Sequence, residues 1–307
     1  CDRLGADILR LWVAAADYTV DIPASQEIFD RLVEAYRRIR NTLRFLLGNL
    51  YDFDPDANAV ESGAMEEFDL WIMSRLQGLV ERCTRALDAY QLHIVYHALH
   101  NFCAVDLSAL YLDIRKDCLY TFAPDSTARR SAQTAVYHLL HTIIRIMAPV
   151  LCHTSEEAWR LAAGDDAGGS VQLQAWPEVD DRWRNAALEG VYGALMDVRD
   201  TVTKALEEKR AAKELGTSLE AMVKLAIPPS LADIFKAREE LLPALFIVSK
   251  VELEILAGEG RVQVEVERAP GEKCARCWNY RPSVGQNESH PEICDRCLSV
   301  VEEAREL

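Results

Sequence analysis

The sequence predicts a mainly α-helical protein: an antiparallel helical bundle, then a small α/β subdomain, then a short C-terminal module built around cysteine. Three observations carry that prediction. Leu32, Tyr36, Ile39, Leu43, Leu46, Leu50 and Phe53 recur at alternating spacings of four and three, which is one face of an α-helix. Val262, Val264 and Val266 alternate with polar residues, the period of a half-buried strand. Cys274-Ala-Arg-Cys277 and Cys294-Asp-Arg-Cys297 form two C-x-x-C pairs separated by sixteen residues.

Taken in order, residues 1–22 hold a short amphipathic helix over Ala6-Asp-Ile-Leu-Arg-Leu-Trp12-Val and a polar turn ending at Pro23. That is too short for a domain, and the first residue is Cys1 rather than Met, so the segment is expected to be the tail of something upstream. Residues 23–187 are expected to form the bundle. Its first helix runs over 24–53, with Ser25 as cap and Asp54-Pro55 as the stop. Helices follow over Glu66–Asp88, Leu92–Cys118 and Ser126–Met147, the last closed by Pro149. A shorter helix is expected to start at Thr154-Ser-Glu-Glu157, with Thr154 or Ser155 as cap. Gly164-Asp-Asp-Ala-Gly-Gly169 and Trp176-Pro177 mark a surface linker. Residues 188–269 are the α/β unit: a charged helix over Leu188–Leu215, strands over Leu219–Ile227, Val251–Leu256 and Arg261–Glu267, and a helix near Leu231–Val248. Residues 270–307 are the cysteine module.

The totals exclude several classes. The chain has 307 residues, of which 27% are charged, and a formal charge of −15, so it is no general coater of nucleic acid. Apart from the knuckles, Cys83, Cys103, Cys118 and Cys152 stand singly in apolar segments, which suits a reducing compartment rather than a disulfide scaffold. No signal peptide and no apolar run near eighteen residues is present, so no membrane partner is expected.

The four cysteines carry the most specific chemistry. Zn²⁺ takes four soft ligands in a tetrahedron, and each C-x-x-C turn offers two thiolates. Cys274, Cys277, Cys294 and Cys297 fill that shell and leave no open position, so one structural Zn²⁺ is expected and the tail is a C-terminal zinc-binding module. Residues 270–307 hold too little apolar material to fold otherwise. His290 is a substitute ligand at best.

Two further clusters point outward. Arg31, Arg37, Arg38, Arg40 and Arg44 stand against the single acid Glu34 within residues 31–44. Arg37, Arg40, Asn41 and Arg44 share one face beside the apolar stripe, and guanidinium forks suit phosphates and guanine edges. The bland alternative is a solvated helix face with ion pairs. Behind the first knuckle, Trp278, Asn279, Tyr280 and Arg281 combine flat rings with positive charge, as RNA loops require for stacking. Alternatively, Trp278 and Tyr280 cover the zinc as a miniature core.

Other patterns read as structure. His93, His97 and His100 share a helix face without a carboxylate or cysteine at helical spacing, and His138 and His141 are similar. Asp52-Phe-Asp54-Pro-Asp56 starts like a calcium loop but has Ala57 and Gly63 where glycine and glutamate are needed. No Ser/His/Asp set, glycine-rich phosphate loop, G-x-S-x-G or H-E-x-x-H is present.

Gly5-Ala-Asp-Ile-Leu-Arg-Leu-Trp12-Val, then Tyr36-Arg-Arg-Ile-Arg-Asn-Thr-Leu-Arg-Phe-Leu-Leu-Gly-Asn-Leu50, then Cys-x-Arg-Cys-Trp and Cys-x-Arg-Cys resemble, in this order, the C-terminal third of the bacterial isoleucyl-tRNA synthetases. The resemblance implies a class I enzyme that activates isoleucine with ATP, transfers it to tRNA and edits valine. It implies that the bundle is of the anticodon-binding type and that residues 1–22 are the tail of the catalytic-core and stem-contact region. The family's H-x-G-H and K-M-S-K-S signatures are absent from this sequence, so ATP would bind outside it and the chain should neither aminoacylate nor edit. By resemblance Arg37, Arg40, Asn41 and Arg44 make phosphate and base contacts and Trp278 and Arg281 stack on bases, with the anticodon stem-loop of isoleucine tRNA as partner. A cytoplasmic monomer that binds neither DNA nor membrane is expected. The rival readings are the same region of a valyl- or leucyl-type synthetase, which lacks the terminal knuckles, and a helical scaffold whose zinc module serves protein contacts.

Overall fold

The computed structural model describes residues 3–164 and 169–306, with side chains as far as residue 303; the middle of the expected Gly164–Gly169 linker, like Cys1, lies outside the described residues. The elements, in chain order, are α1 (Ala6–Ala15), α2 (Gln26–Gly48), α3 (Pro55–Asn58), α4 (Glu67–Asp88), α5 (Leu92–Asn101), a π-helical stretch (Phe102–Tyr111), α6 (Leu112–Thr121), α7 (Thr127–Met147), α8 (Cys152–Ala163), α9 (Ala186–Ala211), β1 (Ala221–Ile227), α10 (Ala232–Lys236), α11 (Leu242–Phe246), β2 (Lys250–Ile255), β3 (Gln263–Arg268), β4 (Glu272–Lys273), β5 (Tyr280–Arg281) and α12 (Asp295–Glu306). The mainly helical class with a small mixed sheet is as predicted. Two compact units result: residues 1–113 with 127–185, and residues 114–126 with 186–307.

The first unit is the helical bundle. Leu32, Ile39, Leu43 and Leu46 of the α2 stripe are buried, and Tyr36 is half-buried with its hydroxyl 3.0 Å from Thr154 Oγ1. Ser25 caps α2 as expected, accepting from the Ile28 N–H at 3.3 Å. The helix stops earlier than predicted, at Gly48. Asn49 ends it by donating its side-chain N–H to the Phe45 carbonyl at 2.8 Å. Asp54-Pro55 instead starts α3, with the Asp54 carboxylate accepting from the Asp56 N–H. Asp52 turns inward. Its carboxylate takes both Nη atoms of the buried Arg129, at 2.6 and 3.0 Å, and the Gln133 amide at 2.8 Å. Burial opposes the charge of Asp52, but these bonds prevail and hold its carboxyl below the ordinary range. The calcium-like loop is therefore a structural anchor, not a metal site.

α8 corrects a second expectation. It begins at Cys152, so Thr154 and Ser155 lie inside its first turn rather than capping it. The cap comes from α1: the buried Asp7 carboxylate accepts from the N–H groups of His153 (3.3 Å) and Thr154 (2.8 Å) and from the Thr154 hydroxyl (2.6 Å). A negative charge here meets the orphan donors and the positive end of the helix dipole. The chain after α8 packs onto α4: Trp176 donates its indole N–H to Thr84 Oγ1 at 2.8 Å, and Asp180 N–H reaches Gln77 Oε1 at 2.9 Å.

The second unit holds a three-stranded sheet of order β2-β1-β3. β1 pairs with β2 in parallel (Val223 opposite Val251, Leu225 opposite Leu253) and with β3 antiparallel (Val223 opposite Val266). Val223, Leu225 and Ile227 are buried with Phe235, Leu242 and Leu245, and Tyr192, Leu195, Val198 and Val202 bury one stripe of α9. The single helix expected near Leu231–Val248 is broken into α10 and α11. Pro243 cannot donate an N–H to a continuing helix, so it opens a new one, and Ile247 ends that in the left-handed region at φ 56°.

Candidate metal centre and nucleic-acid interface

The metal centre is assembled by two reverse turns and one helix start. β4 and β5 form a two-stranded ribbon, with Glu272 opposite Arg281 and Lys273 opposite Tyr280. Gly271, at φ 89°, lets the strands approach; a Cβ there would lie 2.3 Å from the Arg281 carbonyl carbon. The ribbon frames the first knuckle: Cys274 N–H donates to Asn279 O and Trp278 N–H to Cys274 O, both at 2.9 Å. The second knuckle runs into α12, with Cys297 in its first turn. Cys294 N–H points at Cys274 Sγ, 3.3 Å away.

All four sulfurs are buried and lie within 4.8 Å of one another; Cys277 and Cys294 are 3.7 Å apart. Tetrahedral Zn²⁺ with bonds near 2.3 Å sets its sulfurs about 3.8 Å apart, so the cluster fits the ion with little adjustment. A hydrogen bond from Cys297, helped by Asn279, favours the thiolate of Cys277, and the same bond pushes Cys297 up. Cys83 and Cys103 are the contrast: burial pushes both up to about 12, as inert core thiols. Ile293 is buried with the cysteines, and Val284, Leu298 and Val301 pack around them. His290 is not in the cluster.

Trp278 does not cover this site. The residue is 60% exposed and is not among those packed on the cysteines, and its backbone is left-handed at φ 65°, a costly conformation for a bulky residue. Lys273 Nζ sits over the ring, 5.3 Å from its centroid, a partner that charge counting alone did not reveal. Arg281 is exposed. Arg276 is not an outward charge: it donates to the Thr121 carbonyl and to Cys297 Sγ. Tyr280 is tied down through its N–H, which donates to Ser249 Oγ at 2.7 Å.

On α2, described separately within the first unit, Arg37, Asn41 and Arg44 are exposed and Arg40 is half-buried. Arg37 pairs with Glu34 and Arg40 with Glu157 of α8, the latter at 3.0 Å. The Glu157 pairing joins residues far apart in sequence and was not foreseen. Exposed pairs of this kind contribute under about 1 kcal/mol and exchange readily for a phosphate. A groove of roughly 580 Å³ lies beside them, lined by Arg31, Arg37 and Arg38 with Tyr96 and His100 of α5, and by the acids Glu27, Asp30 and Glu34.

Of the histidines expected to be structural, His97 and His100 lie against Tyr96, and His141 lies 4.3 Å from Tyr137 and 5.3 Å from Trp159, centroid to centroid, where burial lowers it to about 4; His93 departs from the expectation, its Nδ1 being buried without a hydrogen-bond partner.

Residues 69–225, just over half of the chain, match the sequence pattern of the anticodon-binding domain of tRNA ligase. The chain belongs to that family. In this anticodon-binding-domain protein, residues 271–300, which contain all four cysteines, match a zinc finger found in FPG and IleRS. With the buried thiol cluster, that makes the module a structural zinc site. The isoleucine–tRNA ligase of Moorella thermoacetica is 47% identical over 97% of the chain, and that of Carboxydothermus hydrogenoformans is 45% identical over 99%. The chain spans about a third (33%) of the length of these curated relatives. Among solved structures, a ternary complex of Agrobacterium radiobacter K84 LeuRS, tRNA and LeuAMS aligns with 84% of the chain and 29% of its own, at TM-score 0.45 and 14% identity, too loosely to carry an argument. No helix among the described residues is long and apolar enough to cross a membrane.

Proposed function

We propose that the chain is the tRNA-reading part of an isoleucine–tRNA ligase and engages the anticodon stem-loop of isoleucine tRNA. The observation that carries the reading is the coexistence, in one chain, of the anticodon-binding domain and the zinc finger found in FPG and IleRS, in the setting of relatives named isoleucine–tRNA ligase along nearly the whole sequence. Arg37, Arg40, Asn41 and Arg44 meet phosphates and base edges, while Trp278 and Arg281 stack on splayed loop bases. Their exposure supports this assignment, as does the weakness of the ion pairs that α2 would exchange for phosphate.

The zinc carries no reaction step. It holds the ribbon on which Trp278 and Arg281 stand. Joining isoleucine to tRNA with ATP belongs to the whole ligase, a cytoplasmic monomer in this reading, and uses signatures absent from these residues. The net charge of −15 leaves little non-specific attraction to DNA.

The test is binding of the chain to isoleucine tRNA and to the same tRNA with its anticodon exchanged, at two salt concentrations. A preference of about tenfold or more for the native anticodon, kept at both salts, is expected, since each wrong base forfeits roughly 1–3 kcal/mol of contacts. Equal affinity for the two would remove anticodon reading, and no RNA affinity would favour a protein-interaction scaffold.

A further inference from the structure

Each knuckle carries an arginine immediately before its second cysteine, and neither faces solvent as a free charge. Arg296 lies between two kinds of negative group. On one side its Nη1 and Nη2 grip both Asp117 oxygens, at 2.7 and 2.8 Å, and Nη2 also reaches Thr121 Oγ1 at 3.2 Å. Its guanidinium stands 4.9 Å from the Phe122 ring centroid. On the other side it adjoins Cys297, one of the four metal ligands. Arg276 donates both to the Thr121 carbonyl and to Cys297 Sγ, the latter at 3.7 Å. Asp117 is fixed in turn by the Thr121 hydroxyl at 2.6 Å. Asp117, Thr121 and Phe122 belong to residues 114–126, a segment that falls among the bundle helices in sequence but in the same compact unit as the zinc module in space.

The charges explain the arrangement. Zn²⁺ with four thiolates is a dianion. Two guanidinium groups beside it, one of them shared with Asp117, offset part of that charge, and the N–H···S contact of Arg276 weakens the nucleophilicity of Cys297. Without the metal nothing holds the four sulfurs together, and the arginines lose that fixed partner.

We propose that Arg276 and Arg296 are positioning residues that read the zinc–thiolate dianion and, according to its presence, clamp residues 114–126 onto the zinc module. The bound metal then does more than hold its own loop: it orders a helix end about 150 residues away in sequence. This inference needs only the zinc site and stands apart from the RNA reading.

Amide hydrogen exchange of the zinc-loaded chain, before and after chelation, tests it. Chelation should speed exchange of the amides over 118–126 by about tenfold or more, the scale on which partners of metal ligands act, and leave β1 unchanged. Protection of 118–126 that survives chelation would overturn the proposal. Two variants separate a clamp from mere packing. Arg296→Met should loosen 118–126 and also speed zinc transfer to a chromogenic chelator. Asp117→Asn should loosen 118–126 with zinc transfer unchanged, because the thiolate side of the clamp is intact. Arg296→Lys should restore slow zinc transfer but not full protection, since one ammonium cannot grip both Asp117 oxygens. Unchanged zinc transfer in Arg296→Met, or faster transfer in Asp117→Asn equal to that of Arg296→Met, would contradict it.

Discussion

Two sets of arginines carry opposite lessons. Arg37, Arg40 and Arg44 stand on α2, exposed or half-buried, with at most one acid apiece. Arg276 and Arg296 sit in the knuckles, engaged with a carbonyl, a carboxylate and the Cys297 sulfur. Counted as charge, the two sets look alike, and Arg276 contributes to the positive balance of residues 272–281. Their surroundings separate them. A guanidinium whose only partner is an exposed acid can release it to a phosphate at little cost, whereas one fixed by several buried acceptors cannot.

The sharpest way to break the comparison is to remove the metal. Chelation should unfold residues 270–303, seen as collapse of their amide dispersion, while α2 and α4 keep theirs; a tail spectrum indifferent to chelation would take away the structural zinc. Next in size is Asp7→Ala, which strips the first turn of α8 of its cap and should lower bundle stability by about 2–3 kcal/mol in denaturant titration. By contrast Glu34→Gln, which removes only the partner of Arg37, should change it by less than about 0.5 kcal/mol.

The bundle should also carry a pH signature. Burial lowers His141 from 6.5 to about 4, so the folded protein holds this imidazole neutral where the unfolded chain takes up a proton. Stability is therefore full above about pH 6.5 and falls as the pH drops toward 4, by up to about 3 kcal/mol. His141→Leu should flatten the unfolding midpoint over that window; an unchanged slope would assign the loss to other groups. Smaller again, and confined to binding, Trp278→Ala should weaken RNA affinity by about 1–3 kcal/mol with the zinc content intact. An unfolded tail in that variant would return Trp278 to a covering role.

The parts that were legible in the sequence share a cause. Periodicity exposed the α2 stripe because Leu32, Ile39, Leu43 and Leu46 are buried at its spacing, and the knuckles were legible because zinc geometry constrains local spacing. What was not legible depends on partners far away in the chain. The start of α8 is set by Asp7, nearly the whole bundle distant in sequence, and Arg40 meets Glu157 only after folding. Arg276 and Arg296 tie residues 114–126 to the zinc module, and their repeated C-x-R-C position was the one available signal of that tie. Pro243 breaks the helix although apolar residues continue on both sides, so hydrophobic pattern and backbone chemistry point in opposite directions there.

Arg37, Arg40 and Arg44 of α2 are the centre of the proposed function, and the salt dependence of tRNA binding tests them most directly. The slope of log affinity against log salt should become shallower by about 2–3 when Arg37, Arg40 and Arg44 are replaced together by glutamine, since each phosphate contact contributes roughly 0.7–0.9. The same slope in the variant and the parent chain would mean that these arginines touch no phosphate.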